Sequence, residues 1–170
     1  GSETRRYQIF SIIPIWDNIS HKPVEIAFAI DKNDKPIEVD DFLYVLFPTR
    51  KETRLKFILN GPYRTNPARE SISEDDHFNI HLLNETSTLM VETLLWFKKN
   101  GLLDSQLLSI LPNNGDDIRG FYKPLYQSII SAFSKNELVP TDEGEYARSD
   151  NTFQGPALIR ELIREEDLIV

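Results

Sequence analysis

Residues 73–101 read SEDDHFNIHLLNETSTLMVETLLWFKKNG, and this stretch decides the fold class. Phe78, Leu82, Leu89, Met90, Leu94 and Phe97 recur at steps compatible with a 3.6-residue period, and Thr86 and Thr93 complete the stripe. The period predicts one helix of about 20–25 residues. Ser73, with Asp76 three residues later, is read as the cap at its start. Lys98 and Lys99 suit the negative end of the helix dipole, and Gly101 stops the helix.

Upstream of this helix the pattern is that of strands. Residues 7–15 are rich in Ile and Phe, and residues 24–31 alternate apolar with polar or small side chains. Asp17-Asn18 and His21-Lys22-Pro23 supply turn chemistry between them, and Asn33-Asp34-Lys35-Pro36 supplies the next turn. Residues 42–47 form a nearly continuous apolar run between Asp40-Asp41 and Pro48, a pattern that suits a strand covered on both faces. Residues 55–60 give a fourth strand, ended by Gly61-Pro62. Short connections between successive strands favour antiparallel pairing.

Downstream, a short helix is expected over Ser105–Leu111 and another from about Pro124 to Ser134, with Leu125, Ile129 and Phe133 on one face. Residues 140–144 read as a turn. A last helix is expected over Ala157–Arg164, after Pro156, with Ile159 and Ile163 inward. Strands first and helices afterwards predict an α+β fold: a largely antiparallel four-stranded meander followed by a long helix and shorter helices packed on the sheet. The expected organisation is a meander plus long helix over residues 3–112 and a helical extension of the same domain over 113–170. Gly1-Ser2 reads as a tag-removal scar, and the apolar finish Asp167-Leu168-Ile169-Val170 reads as a cut. The chain is therefore expected to be a piece of something longer.

Composition excludes several classes. The 170 residues include 18 aromatics, too many for a disordered chain, and they suffice for a sizeable core. With no Cys there is no disulfide framework, iron–sulfur centre, thiolate zinc site or Cys nucleophile. No apolar run reaches the roughly 18 residues of a membrane span, and no signal peptide is visible. A cytoplasmic setting is the expectation.

Charge is unevenly spread. The formal net charge is −8, yet residues 50–69 hold six basic residues and one acidic. A concentrated basic segment in an acidic chain is suited to an anion, while the overall balance makes nucleic acid an unlikely partner. The competing reading is a solvated surface on which these side chains pair with neighbouring carboxylates. Position favours the first. Asn66-Pro67-Ala68-Arg69-Glu70 lies between the end of a strand and the start of the long helix, where loops often carry ligand groups. Pro62 and Pro67 stiffen it.

Phe57-Ile58-Leu59-Asn60-Gly61-Pro62-Tyr63-Arg64-Thr65-Asn66-Pro67-Ala68-Arg69-Glu70-Ser71-Ile72, followed by Asp75-Asp76 and the long helix, resembles a signature of large sacsin-like proteins. These are relatives of the ninety-kilodalton heat-shock chaperones (Hsp90) in the GHKL ATPase class. Residues 42–49 and 138–144 also resemble those proteins. The resemblance implies a middle, coupling domain that follows a nucleotide-binding domain. In the heat-shock chaperones an Asn-x-x-Arg-Glu stretch opens a helix, and its Arg reaches the γ-phosphate of ATP. By that analogy Arg69 stabilises charge on the transferred phosphoryl group, and Asn66 supports the loop or a phosphate contact. Lys56 and Arg64 have no role carried over from the family; Arg64 is named beside Arg69 for cofactor binding only as a basic neighbour. Ala68 departs from the Ser usual before this Arg.

The resemblance further implies that ATP and Mg are held by the preceding domain of the parent chain. No Glu-x-x-x-Asn magnesium box, glycine-rich nucleotide loop or P-loop occurs here, so the fragment carries no cofactor and alone does not hydrolyse ATP. The implied partners are that nucleotide-binding domain and a possible protein client, with no membrane involved. The alternative is a protein- or nucleic-acid-interaction module that uses the basic 50–69 segment without ATP.

Other constellations are weaker. His77 and His81 stand at metal-ligand spacing, but Glu85 lies about 12 Å from His77 along a helix, so one ion cannot take all three. The pair is read as a polar helix face, and His21 as a lone turn residue. No Gly-x-Ser-x-Gly elbow exists. The pairs Asp40-Asp41, Asp75-Asp76 and Asp116-Asp117 are read as caps and solvated turns.

Overall fold

The computed structural model describes residues 5–39, 42–68, 70–113, 116, 118 and 120–151. The first strands are β1 (Arg6–Ile12), β2 (Ile15–Trp16), β3 (Ile19–Ser20) and β4 (Val24–Ile30). β1 and β4 pair antiparallel along their whole length, from Arg6 opposite Ile30 to Ile12 opposite Val24. The stretch read as one strand over 7–15 in fact ends at Ile12. After Ile13-Pro14 the chain folds into the β2–β3 ribbon, because Asp17 and Asn18 both take positive φ (51° and 61°), the conformation of a tight hairpin turn. The His21 N–H donates to the Pro14 carbonyl at 3.0 Å and closes this excursion.

Next come β5 (Pro36–Ile37), β6 (Phe42–Val45), β7 (Phe47–Glu52) and β8 (Ile58–Asn60). The sheet order is β1-β4-β8-β6-β7, with β5 also on β4. β8 is antiparallel to β4, where Glu25 faces Asn60, and parallel to β6, where Tyr44 faces Asn60. The sheet is therefore mixed, and the expected antiparallel four-stranded meander is corrected. The cause is a crossing: β6 and β7 form a hairpin, and residues 53–57 then return the chain to the inner side of β6. Thr53, Leu55 and Phe57 are buried in that return.

The apolar run over 42–47 is also not one doubly covered strand. Leu46 is a turn residue at φ 64°, so the run is split between β6 and β7, and Leu46 and Phe47 are exposed. A hairpin without Gly or Asn at its turn leaves little trace in sequence. Pro48 is accommodated because β7 is an edge strand.

The long helix α1 (His77–Lys99) matches its periodicity. Its N-cap is Asp76, whose Oδ1 accepts from the Asn79 N–H at 3.0 Å; Ser73 is not the cap. The Asp-x-x-Asn spacing 76–79, not Ser73 with Asp76, spans the first turn. At the other end Gly101 (φ 67°) lets its N–H bond the Lys98 carbonyl while the Leu102 N–H bonds that of Phe97.

Two shorter helices follow: α2 (Ser105–Ile110), capped by Asp104, and α3 (Lys123–Lys135), entered through a single 3-10 turn at Gly120–Tyr122. A ribbon of β9 (Val139–Pro140) and β10 (Tyr146–Ala147) closes the described chain's pairing. The helix expected over Ala157–Arg164 and the Asp40-Asp41 pair lie outside the described residues. Among the described residues the architecture is α+β, with a mixed sheet and three α-helices.

α1 is buried on more than one stripe because it packs on β1 and β4 on one side and on α3 on another. Thr86 and Thr93 survive there because their hydroxyls donate to the Leu82 and Leu89 carbonyls at 2.8 and 2.7 Å. Phe97 sits at the centre of an aromatic cluster, with ring centroids 5.4 Å from Phe10, 5.2 Å from Phe28 and 5.5 Å from Trp96. Among the described residues no helix is long and apolar enough to cross a membrane.

Truncating Phe97 empties the contact between sheet and helix. Phe97→Ala is expected to lower the unfolding free energy by about 3–5 kcal/mol, measured by urea titration. A loss below about 1 kcal/mol would show that α1 does not seat on the sheet through this ring.

Candidate functional site

The candidate site is the loop that joins β8 to α1. It starts where Gly61 lets the chain pass close to the sheet: a Cβ there would meet the Tyr63 ring at 2.8 Å and Val24 Cγ1 at 3.2 Å. Tyr63 is thereby buried, and its hydroxyl shares a hydrogen bond of 3.2 Å with Thr86 Oγ1. Burial pushes the phenol pKa up to about 12, against the opposing effect of the Thr86 bond.

Beyond Tyr63 the loop is tied to α1 by one side chain. Asn79 is fully buried, and its Oδ1 accepts from the Arg64 N–H at 2.8 Å. Its Nδ2 donates to the Arg64 carbonyl at 3.0 Å and to the Ser73 carbonyl at 2.9 Å. One amide thus joins both stems of the loop to the first turn of the helix. Thr65 and Ile72 form a bridge just inside the stems.

Asn66 pinches the loop again. Its backbone N–H donates to the Ser71 carbonyl at 3.0 Å, and its Oδ1 accepts from the backbone N–H of Glu70 at 2.9 Å and of Ser71 at 3.4 Å. These bonds span position 69 in the sequence. Arg69 itself lies outside the described residues. Pro67 and Ala68 are exposed.

Arg64 is engaged within the fold. Its Nη1 is 3.1 Å from Asp76 Oδ2, and its guanidinium carbon lies 4.7 Å from the centroid of Phe78. An anion approaching Arg64 therefore competes with the N-cap carboxylate. Burial acts to raise the Asp76 pKa; the Asn79 N–H and the Arg64 ion pair outweigh it and hold the carboxyl below its ordinary value.

The basic window is largely neutralised in space. Arg50 pairs with Glu70 at 2.7 Å, Lys51 with Glu74, and Lys56 with Glu38 at 3.9 Å, besides donating to the Ser109 carbonyl. The concentrated positive charge of residues 50–69 thus meets carboxylates from elsewhere in the chain. This is the competing reading of the basic segment, pairing with carboxylates; which carboxylates pair was not legible, since Glu70 and Glu74 reach β7 only through the fold. Sequence reasoning missed Asn79, although the 76–79 cap spacing was a usable signal.

His77 is exposed, as a polar helix face requires, but His81 and His21 are partly covered. His81 packs against Trp16, with ring centroids 5.0 Å apart, and His21 against Phe78 at 4.8 Å, because the β2–β3 ribbon lies over the start of α1. Among the described residues no group of three or more His, Asp or Glu side chains is placed to hold a metal ion.

No protein-family model matches the chain, and no solved structure matches it. Among curated proteins, Protein NO VEIN of Arabidopsis thaliana is 27% identical over 141 residues, covering 76% of this chain. The chain spans 5% of the length of that relative.

The loop's two ties differ in cost. Asn79→Ala strands the Arg64 and Ser73 backbone groups in the interior and is expected to destabilise by about 2–4 kcal/mol. Asp76→Ala removes a cap and is expected to cost about 1 kcal/mol at neutral pH. The Asp76 carboxyl is depressed in the folded state, so its contribution is present above the ordinary carboxylate pKa of 3.8 and is lost as pH falls through its folded value. Urea titrations at neutral and strongly acidic pH check this: the Asp76→Ala deficit should shrink in acid, and the Asn79→Ala deficit should persist.

Proposed function

We propose that this chain is the middle, coupling domain of a multidomain ATPase of the Hsp90- and sacsin-like GHKL class. In this reading a preceding nucleotide-binding domain holds ATP and Mg. Arg69 supplies its guanidinium to the γ-phosphate as charge develops on the transferred oxygens. Closure of the two domains brings the loop to the nucleotide, and the sheet and α1 pass the movement onward, to a possible protein client in the cytoplasm.

The observation that carries the reading is the double restraint of the 64–73 loop. Asn79 fixes its stems and Asn66 bonds the backbone on the far side of position 69. An arginine that acts on another domain's phosphate needs a backbone already ordered, since ordering it during the reaction would raise the barrier. Asn66 acts here through the loop's backbone, in support of Arg69. Arg64, bonded to Asp76, is a basic neighbour that a phosphate would have to draw away. The likeness to a segment making up 5% of NO VEIN supports a place within a long, multidomain chain.

The alternative, docking of a protein or nucleic acid on the basic 50–69 segment, loses support from the ion pairs of Arg50, Lys51, Lys56 and Arg64. A surface already matched by its own carboxylates releases few counterions from a polyanion.

The test joins this segment to the nucleotide-binding segment of its parent polypeptide and measures ATP turnover and ATP affinity separately. Arg69→Ala is expected to lower kcat by about a hundredfold or more with ATP binding retained. Asn66→Ala is expected to lower kcat less. Turnover unchanged by Arg69→Ala, with ATP still bound, would overturn the reading.

A further inference from the structure

The two edges of the sheet differ. β7, at one end, is protected against further pairing: Pro48 lacks an N–H, Arg50, Lys51 and Glu52 are charged, and its register with β6 is broken between Phe42 and Tyr44. β1, at the other end, has none of these devices. It runs seven residues without Pro or Lys, Arg6 at its first position is its only charge, and its register with β4 is unbroken. Among the described residues no strand pairs along its outer side. Alternate residues of an edge strand turn their N–H and C=O groups away from the sheet, so β1 presents a row of main-chain donors and acceptors.

The side chains of β1 suit the same use. Phe10 and Ile12 pack against the core, while Tyr7 and Ile9 are exposed, Ile9 by 54%. The alternation continues past the strand, where Ile13 and Ile15 are exposed as well. An unprotected edge with exposed apolar side chains is a template for one more strand. β1 is its own complement in that role. Antiparallel pairing across a two-fold axis through Ile9 sets Ile9 against Ile9 of the second copy, Tyr7 against Ser11, and Gln8 against Phe10. Arg5 and Arg6 of the two copies then stand at opposite ends of the new ribbon, so no like charges face each other within it.

The long helix is compatible with this arrangement. α1 packs on both β1 and β4, and Trp96 lies on its β1 side, its ring 5.1 Å from Phe10. Neighbouring strands are about 4.8 Å apart, so two helices that each lie over a β1–β4 pair have axes about 10 Å apart, the ordinary helix-packing distance. Glu92 is exposed one turn before Trp96, and Lys99 is exposed one turn after it. Where two antiparallel helices meet at Trp96, Glu92 of each copy comes to Lys99 of the other.

We propose that the outer edge of β1 is a self-association surface, on which a second copy of this chain adds its own β1 antiparallel and joins the two sheets across a two-fold axis at Ile9. The proposal does not depend on the role of Arg69.

The 170-residue chain contains no Cys, so a single introduced thiol reports on contact with its own copy. Ile9→Cys stands on the axis and is expected to give a disulfide-linked dimer on mild oxidation, because directly facing strand residues lie within the Cα separation that a disulfide spans. Ser11→Cys, which faces Tyr7, and Leu46→Cys, exposed at the β6–β7 turn, are expected to stay largely uncross-linked under the same conditions. In sedimentation velocity the parent is expected to shift from the 19.7 kDa monomer toward a dimer as its concentration rises. Ile9→Lys sets two ammonium groups against each other and is expected to weaken association at least about tenfold. Glu92→Lys is expected to weaken it several-fold, and Lys99→Glu added to Glu92→Lys is expected to restore it. Thermal unfolding checks that each variant is folded; all of these positions are exposed. The proposal is overturned if the parent stays monomeric at about 1 mM, if folded Ile9→Lys associates as the parent does, or if Ser11→Cys or Leu46→Cys cross-links as fully as Ile9→Cys. Slow hydrogen exchange along β1 in a chain that stays monomeric would assign the edge to another part of the same chain and overturn it equally.

Discussion

The side-chain amide of Asn79 is the interaction on which the rest of the loop region depends. It is fully buried at the start of α1 and meets three backbone groups of the 64–73 loop. A buried amide with unmet hydrogen bonds is costly, and one with every bond made fixes its partners in a single arrangement. The helix is in turn fixed by Phe97 and its aromatic neighbours, so the loop inherits the position of the sheet. The order of dependence runs from aromatic core to helix, from helix to Asn79, and from Asn79 to the segment around position 69.

Charge follows the same logic. In an acidic chain the local excess of Lys and Arg between residues 50 and 69 is matched across space by Glu38, Glu70, Glu74 and Asp76. Several of these pairs are well exposed and contribute little to stability. They lower the field that a polyanion would meet.

Sequence alone determined the elements whose signal is local. The 3.6-residue period placed α1, Gly101 placed its end, and the apolar positions of α3 placed its buried face, because helix hydrogen bonds and side-chain stripes are set within a few residues. Only tertiary structure decided the strand order, since β8 inserts beside β6 by a crossing that alternation cannot encode. It also decided that Leu46 turns a hairpin, that Asp76 and not Ser73 caps α1, and that the basic segment is matched by carboxylates distant in sequence. Asn66 was legible as a loop residue from its neighbours Pro67 and Glu70. The spacing of Asp76 and Asn79 was legible, but the burial of Asn79 and its three bonds to the loop were not, because burial and hydrogen-bond satisfaction belong to the packed chain and to no single stretch of it.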